Sequence, residues 1–316
     1  MKKTLRTIGA LALCAVLVPA LGSCGGDDDD EPGGGGVIEL DGTRLTFYNN
    51  LTLNYDSEGR FKSVSSPFIS NAKLLEIDYS KGSIMLGDGE EEMEDMDVKF
   101  NGRGYISRLE SSWDYTDNDE GDSYHYVGSG EMTFSYNGDG NLVSVNCKMS
   151  ETEKDLDYGS VERYEEHYTI DYDWRDGNLV RAVKEGRASD PGYDDEEWNI
   201  PYTLSYGNQA NKFLQTPGTI AYITFDDSLM QILAAVGLFG NGPVMLPAKF
   251  TETDEDDVES YNIVFTLNSN GTIAEERNGI HSYTYGYSAI TRAAAGSATM
   301  PSCKVRDIFR SRAPRK

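Results

Sequence analysis

One pattern recurs along most of this chain and limits what it can become. An alternating run ends in Tyr or Phe, a turn rich in Gly, Asn and Asp follows, and an apolar residue opens a second run. Copies are Leu51–Tyr55 with Phe61, Met96–Phe100 with Ile106, Met132–Tyr136 with Leu142, Tyr168–Tyr172 with Leu179, and Tyr202–Tyr206 with Phe213. Ile263–Leu267 with Ile273 is a later copy, and Leu75–Tyr79 with Ile84 a weaker one. In such a run Tyr168, Ile170 and Tyr172 share one face while Thr169 and Asp171 share the other. Gly and Asn supply the positive φ that a tight turn requires. Each copy therefore reads as a β-hairpin. The links between hairpins are longer and acidic: Glu90–Asp95, Thr116–Ser123, Glu151–Glu162 and Ala188–Glu197.

Hairpins in series with tight turns at one end make an antiparallel meander. A sheet of this many strands must hide its apolar face, and curling or closing on itself does so. The expectation is an all-β fold, a soluble barrel-like sheet over residues 37–290. High charge density and a separate lipid anchor argue against a membrane barrel, which carries an outward apolar band. One segment breaks the β period. Asp226-Asp227-Ser228 can cap a helix from Leu229 to Phe239, with Gly240 as its stop. That segment is apolar nearly all round, so the helix is expected to be buried, as a plug in the barrel.

The N-terminus addresses the chain. Lys2, Lys3 and Arg6 precede an apolar run from Ile8 to Leu21, too short for a comfortable permanent span. Residues 1–23 read as a signal peptide, and Leu21-Gly22-Ser23-Cys24 resembles a lipobox, with Cys24 as the lipidated residue. Residues 24–36 are Gly-rich and acidic, a tether unable to bury apolar area. An acidic run after such a cysteine resembles the export signal of surface lipoproteins in Bacteroidetes-type bacteria. That implies an outer-membrane address facing the exterior. The alternative is a plain spacer on the periplasmic side. Residues 291–316 are basic, through Arg306, Arg310, Arg312, Arg315 and Lys316, and read as a disordered tail.

The hairpin unit, clearest in Tyr55-Asp-Ser-Glu-Gly-Arg-Phe61, resembles the YD repeat of Rhs-type shells. From Leu45 to Tyr287, together with the lipobox, the chain resembles a family of Bacteroidetes lipoproteins of unknown function with a porin-like fold. The turn at Gln209-Ala210 and the Leu267 copy depart from the pattern. The resemblance implies a barrel-like sheet and a surface address, and it carries over no catalytic residue.

Composition narrows the chemistry. The formal charge is −25, and the three basic residues of the leader make the body more acidic still. Nucleic acid is an unsuitable partner for such a surface. After Cys14 and Cys24 only Cys147 and Cys303 remain, with no CxxC or Cys/His cluster for a structural zinc. No G-x-S-x-G, H-E-x-x-H or Walker pattern occurs. His125 and His167 each sit beside aromatics in alternating runs and read as surface or packing residues. Asp117, Asp119 and Asp122 crowd one acidic link and form a weak Ca2+ candidate without EF-hand spacing. No other cofactor is implied. Tyr158, Tyr193 and Trp198 lie in or beside the acidic links, where exposed rings stack on sugars or anchor a protein. The alternative is that they fold back into the core. The expected function is a non-enzymatic module binding a glycan, peptide or partner protein. Its rivals are a carboxylate hydrolase and a structural subunit of an outer-membrane assembly.

Overall fold

The computed structural model describes residues 43–66, 73–87, 94–119, 122–189, 195–254, 257–279, 281–288 and Ile308. The signal peptide, Cys24 and the tether lie outside them. The described chain forms β1 (Arg44–Tyr48), β2 (Leu51–Tyr55), β3 (Phe61–Ser65), β4 (Lys73–Asp78), β5 (Ser83–Leu86) and β6 (Glu94–Phe100). Taller strands follow: β7 (Ile106–Asp119), β8 (Asp122–Tyr136), β9 (Leu142–Asp155), β10 (Val161–Arg175), β11 (Asn178–Ser189) and β12 (Glu196–Ala210). Then come α1 (Gly218–Thr224), α2 (Ser228–Ala235), β13 (Met245–Asp254), β14 (Asp257–Asn262), β15 (Val264–Leu267), β16 (Ile273–Arg277) and β17 (Ser282–Ser288).

Almost every strand pairs antiparallel with its neighbour in sequence, and β17 returns to β1, with Arg44 opposite Ser288. β14 and β15 are two stretches of one run broken at Ile263. β14 pairs with β13 and β15 with β16, so the ring continues through the break. The result is a meander of 17 strands in a nearly closed barrel-shaped sheet, as the hairpin pattern implies.

Four hairpins share one five-residue turn, beginning at Asp56, Asn101, Asn137 and Asn268. In each, the first residue's N–H donates to the carbonyl four residues on, at 2.8–3.0 Å. Its own carbonyl accepts from the glycine three residues on. Those glycines, Gly59, Gly104, Gly140 and Gly271, have φ of +78° to +92°, a region closed to most side chains. The Asp56, Asn101 and Asn137 side chains each accept two further backbone N–H bonds, closing the turn from within.

The ladder skips a residue where each of these hairpins reaches its last aromatic or apolar position. That bulge turns the ring toward the strand before it. The hydroxyls of Tyr55, Tyr79, Tyr136 and Tyr206 donate to the carbonyls of Leu45, Phe61, Ile106 and Leu179 at 2.6–2.9 Å. The indole N–H of Trp174 does the same to Leu142. An aromatic with a polar tip recurs because it latches these hairpins to the strand preceding each, whereas Phe100 and Leu267 stand at the same position without a donor.

The Tyr202 copy departs from the expected hairpin. β12 runs on to Ala210, and Phe213 opens no strand; the chain turns inward instead. Residues 211–244 fill the barrel. Ile106 of β7 donates its N–H to the carbonyl of Leu238 at 2.8 Å. Phe134 of β8 meets Phe239, Tyr172 of β10 bonds Thr224, Tyr222 meets Phe250 of β13, and Gln215 bonds Tyr287 of β17. These partners come from around the ring, so the segment is a plug, as expected. Asp227 caps α2 by accepting from the N–H groups of Leu229 and Met230. The helix is shorter than predicted. It stops at Ala235, and Gly237, at φ +88°, turns the chain before Phe239.

α1 was not expected. Its N-terminus rests on the buried Glu276 of β16, whose carboxyl accepts from the N–H groups of Gly218 (2.7 Å) and Thr219 (2.9 Å) and from the Tyr285 hydroxyl (3.0 Å). Burial pushes the Glu276 carboxyl above its ordinary range although these donors pull the other way. Ile308, twenty residues past Ser288, is also buried in the core, so the chain returns to the body within the segment expected to be a loose tail.

Candidate functional site

Two of the acidic links expected to be loops are largely strand where they are described. Thr116–Asp119 and Asp122–Ser123 belong to a ladder: Thr116 faces His125, Asp117 faces Tyr124, and Asp119 faces Asp122. Between Glu151 and Glu162 only the stretch after Asp155 leaves the ladder. The taller strands therefore extend past the plug contacts at Ile106, Phe134 and Tyr172, all near the tight turns. Because the three aspartates lie along a hairpin, they do not form the expected loop. Among the described residues no group of three His, Cys, Asp or Glu side chains could hold a metal.

The aromatic candidates separate. Tyr158 stands at the turn between β9 and β10 and is 83% exposed. Tyr193 lies outside the described residues. Trp198, expected as an exposed ring, is only 6% exposed. It belongs to β12 on the inward face, and its indole lies over Gly186 of β11. A Cβ at position 186 would come within 2.6 Å of the ring. Trp113 is likewise buried, laid over Gly128 of β8, with its indole N–H on the buried Glu151 carboxylate at 2.8 Å. Each tryptophan covers a glycine on a neighbouring strand, a relation that sequence distance conceals.

A hollow lies where β9 to β12 run side by side. It measures about 530 Å³ and adjoins a second of about 480 Å³; the two share His167, Arg187 and Glu197. Register builds its floor. Lys148 of β9 faces His167 of β10, His167 faces Arg187 of β11, and Arg187 faces Glu197 of β12. These four outward side chains form one row across four strands. Asn146, Thr169, Glu185 and Asn199 form the next row, with the Asn146 amide 3.2 Å from the His167 ring. The β10–β11 ladder ends at Glu165 and Ser189. There the larger hollow reaches Met149, Ala188 and the buried Glu166 of the inner face.

The row gathers its charges without pairing them. Lys148 and Arg187 belong to no ion pair among the described residues. Partial burial, and then Lys148 and Arg187, hold the His167 imidazole below its ordinary range. Glu165, Glu185, Asp195 and Glu197 stand around the three bases. By contrast the other outward histidine, His125, is 2.8 Å from Asp114. The arrangement offers donors, acceptors and fixed charges of both signs on a rigid sheet.

Sequence reading did not single out Lys148 or Arg187, and it took His167 for a surface or packing residue. Counting outward from the Asp176-Gly177 turn would have placed Arg187 opposite His167, once the bulge at Trp174 was allowed for.

No known protein family and no curated protein matches this sequence. Among solved structures, the chain is similar to a porin-like protein from Bacteroides vulgatus at 10% identity, covering 77% of this chain and 97% of that one, with a TM-score of 0.46. It is also similar to a porin-like protein from Bacteroides uniformis at 13% identity, covering 68% and 94%, with a TM-score of 0.24. Similarity at this level assigns no role to any residue.

Proposed function

We propose that this chain is a lipid-anchored, non-enzymatic binding protein of the outer-membrane surface, and that its ligand is a glycan. The observation carrying this reading is the paired hollow on β9–β12. Its floor of hydroxyl, amide, carboxylate and cationic side chains suits a ligand rich in hydroxyls, each both donor and acceptor. Support for an anchored, non-spanning body comes from the outward strand faces. β7 presents Arg108, Glu110 and Asp114, β8 Glu131 and His125, and β10 Glu165, His167 and Asp171, residues that a lipid-facing band excludes. The address itself rests on Cys24 and the acidic tether.

A carboxylate hydrolase is the rival, favoured by Glu166 at the inner end of the hollow. One Glu166 oxygen is already held by the Tyr164 hydroxyl, and Glu151 by Trp113. Both carboxylates thus support neighbouring side chains. The test is a glycan array probed with the full chain in mild detergent. Binding of a defined glycan set, with the glycan recovered uncut, supports the proposal. Cleavage that Glu166→Gln abolishes would replace it with the hydrolase, and an array blank throughout would overturn it. Tyr158→Ala should leave array binding intact, because that ring stands at a hairpin tip away from the hollow's lining residues.

A further inference from the structure

The hollow contains a more specific signal than its polarity. In a chain with 53 acidic residues against 28 basic ones, many exposed cations find a carboxylate. Arg60, Lys73, Arg163, Arg175 and Arg277 all do so within 3.0 Å. Lys148 and Arg187, like Lys154, Arg181 and Lys249, do not; what distinguishes these two is that Glu165, Glu185, Asp195 and Glu197 line the same hollows. They flank His167 from the two adjacent strands, so three nitrogenous side chains meet in one row. The three bases lie side by side in a floor that also carries Glu185 and Glu197, so a single negative group there would have cations beside it and acceptors close by.

We propose that the row Lys148–His167–Arg187 is the seat for the carboxylate of an acidic sugar, with the sugar hydroxyls donating to Glu165, Glu197 and Asn199. This deepens the glycan-binding reading and rests on it. Arg supplies a planar fork matched to a carboxylate, and Lys a second point charge. The imidazole, whose pKa is lowered by partial burial and then by its two cationic neighbours, takes up a proton more readily when an anion offsets them. Binding should therefore tighten as pH falls through the histidine range. The groups facing His167 are Lys148 from β9, Glu165 from its own strand, Arg187 and Glu185 from β11, and Asp195 and Glu197 beside or on β12.

The experiment uses trigalacturonate, its methyl ester and inorganic sulfate as probes. Affinity is measured by calorimetry on the full chain in mild detergent, and the His125 and His167 ring protons are followed by NMR through a pH titration. Trigalacturonate should raise the His167 pKa by a unit or more and leave His125 in place. It should bind at least tenfold more tightly than the methyl ester, and more tightly at pH 5.5 than at 7.5. Arg187→Ala and Lys148→Ala should each weaken it about tenfold or more while the circular dichroism and melting temperature stay near those of the parent. Lys148→Arg should restore binding to within a few-fold. An unmoved His167, equal binding of acid and ester, or full affinity in both alanine variants would overturn the carboxylate seat. If neutral glycans bind while these variants bind normally, glycan binding stands and the carboxylate seat alone falls. Sulfate matching trigalacturonate would reduce the row to an unspecific anion site and also overturn it.

Discussion

Gly128→Ala is the sharpest test of how the upper sheet is packed. Gly128 lies in an ordinary strand conformation, so a methyl group there meets no backbone strain. It meets atoms: a Cβ would sit 2.6 Å from Cε2 and Nε1 of Trp113 and 2.7 Å from the carbonyl oxygen of Ser150. Normal carbon contacts are about 3.5–4.0 Å, so the indole must move by roughly 1 Å. Overpacking of this kind costs about 1–3 kcal/mol. The movement also breaks the 2.8 Å bond from the indole N–H to the buried Glu151 carboxylate. Losing a hydrogen bond to a charged group costs about 1.5–3 kcal/mol. The expected total is about 3–5 kcal/mol in urea unfolding followed by far-ultraviolet circular dichroism. Trp113→Phe removes the clashing indole N–H, so the double variant should be less destabilised than the sum of the singles by at least about 1 kcal/mol. A Gly128→Ala protein within about 0.5 kcal/mol of the parent would refute the packing argument. So would strict additivity of the two changes.

Other predictions follow from the latch, the plug, the row of bases and the anchor. Tyr136→Phe removes only the hydroxyl bonded to the Ile106 carbonyl and should cost about 0.5–1.5 kcal/mol by the same assay; no loss would make the latch decorative. Asp227→Ala uncaps α2 and should cost about 0.5–2 kcal/mol, whereas Asp227→Asn should cost much less. The lowered pKa of His167 means that the unfolded chain binds its proton more readily than the folded one. Its contribution to stability is present above the ordinary histidine range and is lost as pH falls through the folded value. His167→Gln should flatten the pH dependence of the melting temperature between pH 7 and 5, and an unchanged slope would rule that out. Cys24→Ala should abolish incorporation of labelled fatty acid, and persistent labelling would exclude the lipobox.

The hairpins were legible because their determinants are local. An Asx residue, a glycine three positions on and an aromatic just before them close a turn without help from elsewhere. The plug helix was legible for the same reason, through Asp227 and the unbroken apolar run after it. What escaped the sequence depends on partners. Thr116–Asp119 is too acidic to read as strand, and it is extended because β8 lies alongside it. α1 is seven residues long, follows Pro217 and is rich in β-branched side chains, so its helical state depends on the buried Glu276 beneath its first turn. Trp198 reads as a loop aromatic until Gly186, on the adjacent strand, is seen to accommodate it. The site was least legible of all. Lys148, His167 and Arg187 are spaced by about twenty residues and are joined only by register.

The aromatic latches make the hairpins that carry them transferable parts. The hairpins ending in Tyr55 and Tyr136 each bring their own turn, their own bulge and the donor that fastens them to the strand before. Nothing in the sheet itself therefore fixes how many hairpins the ring holds. Removing one would leave compatible edges on either side and a ring of smaller girth. The plug imposes the limit. Residues 211–244 touch strands around the circumference, so the volume of this inserted segment acts as the gauge to which the ring is cut. Lineages that gained or lost a hairpin would have had to resize the stretch between Asn211 and Val244 in the same step. Length variation in that stretch should accordingly track strand number, while the tips of the tall hairpins vary independently of both.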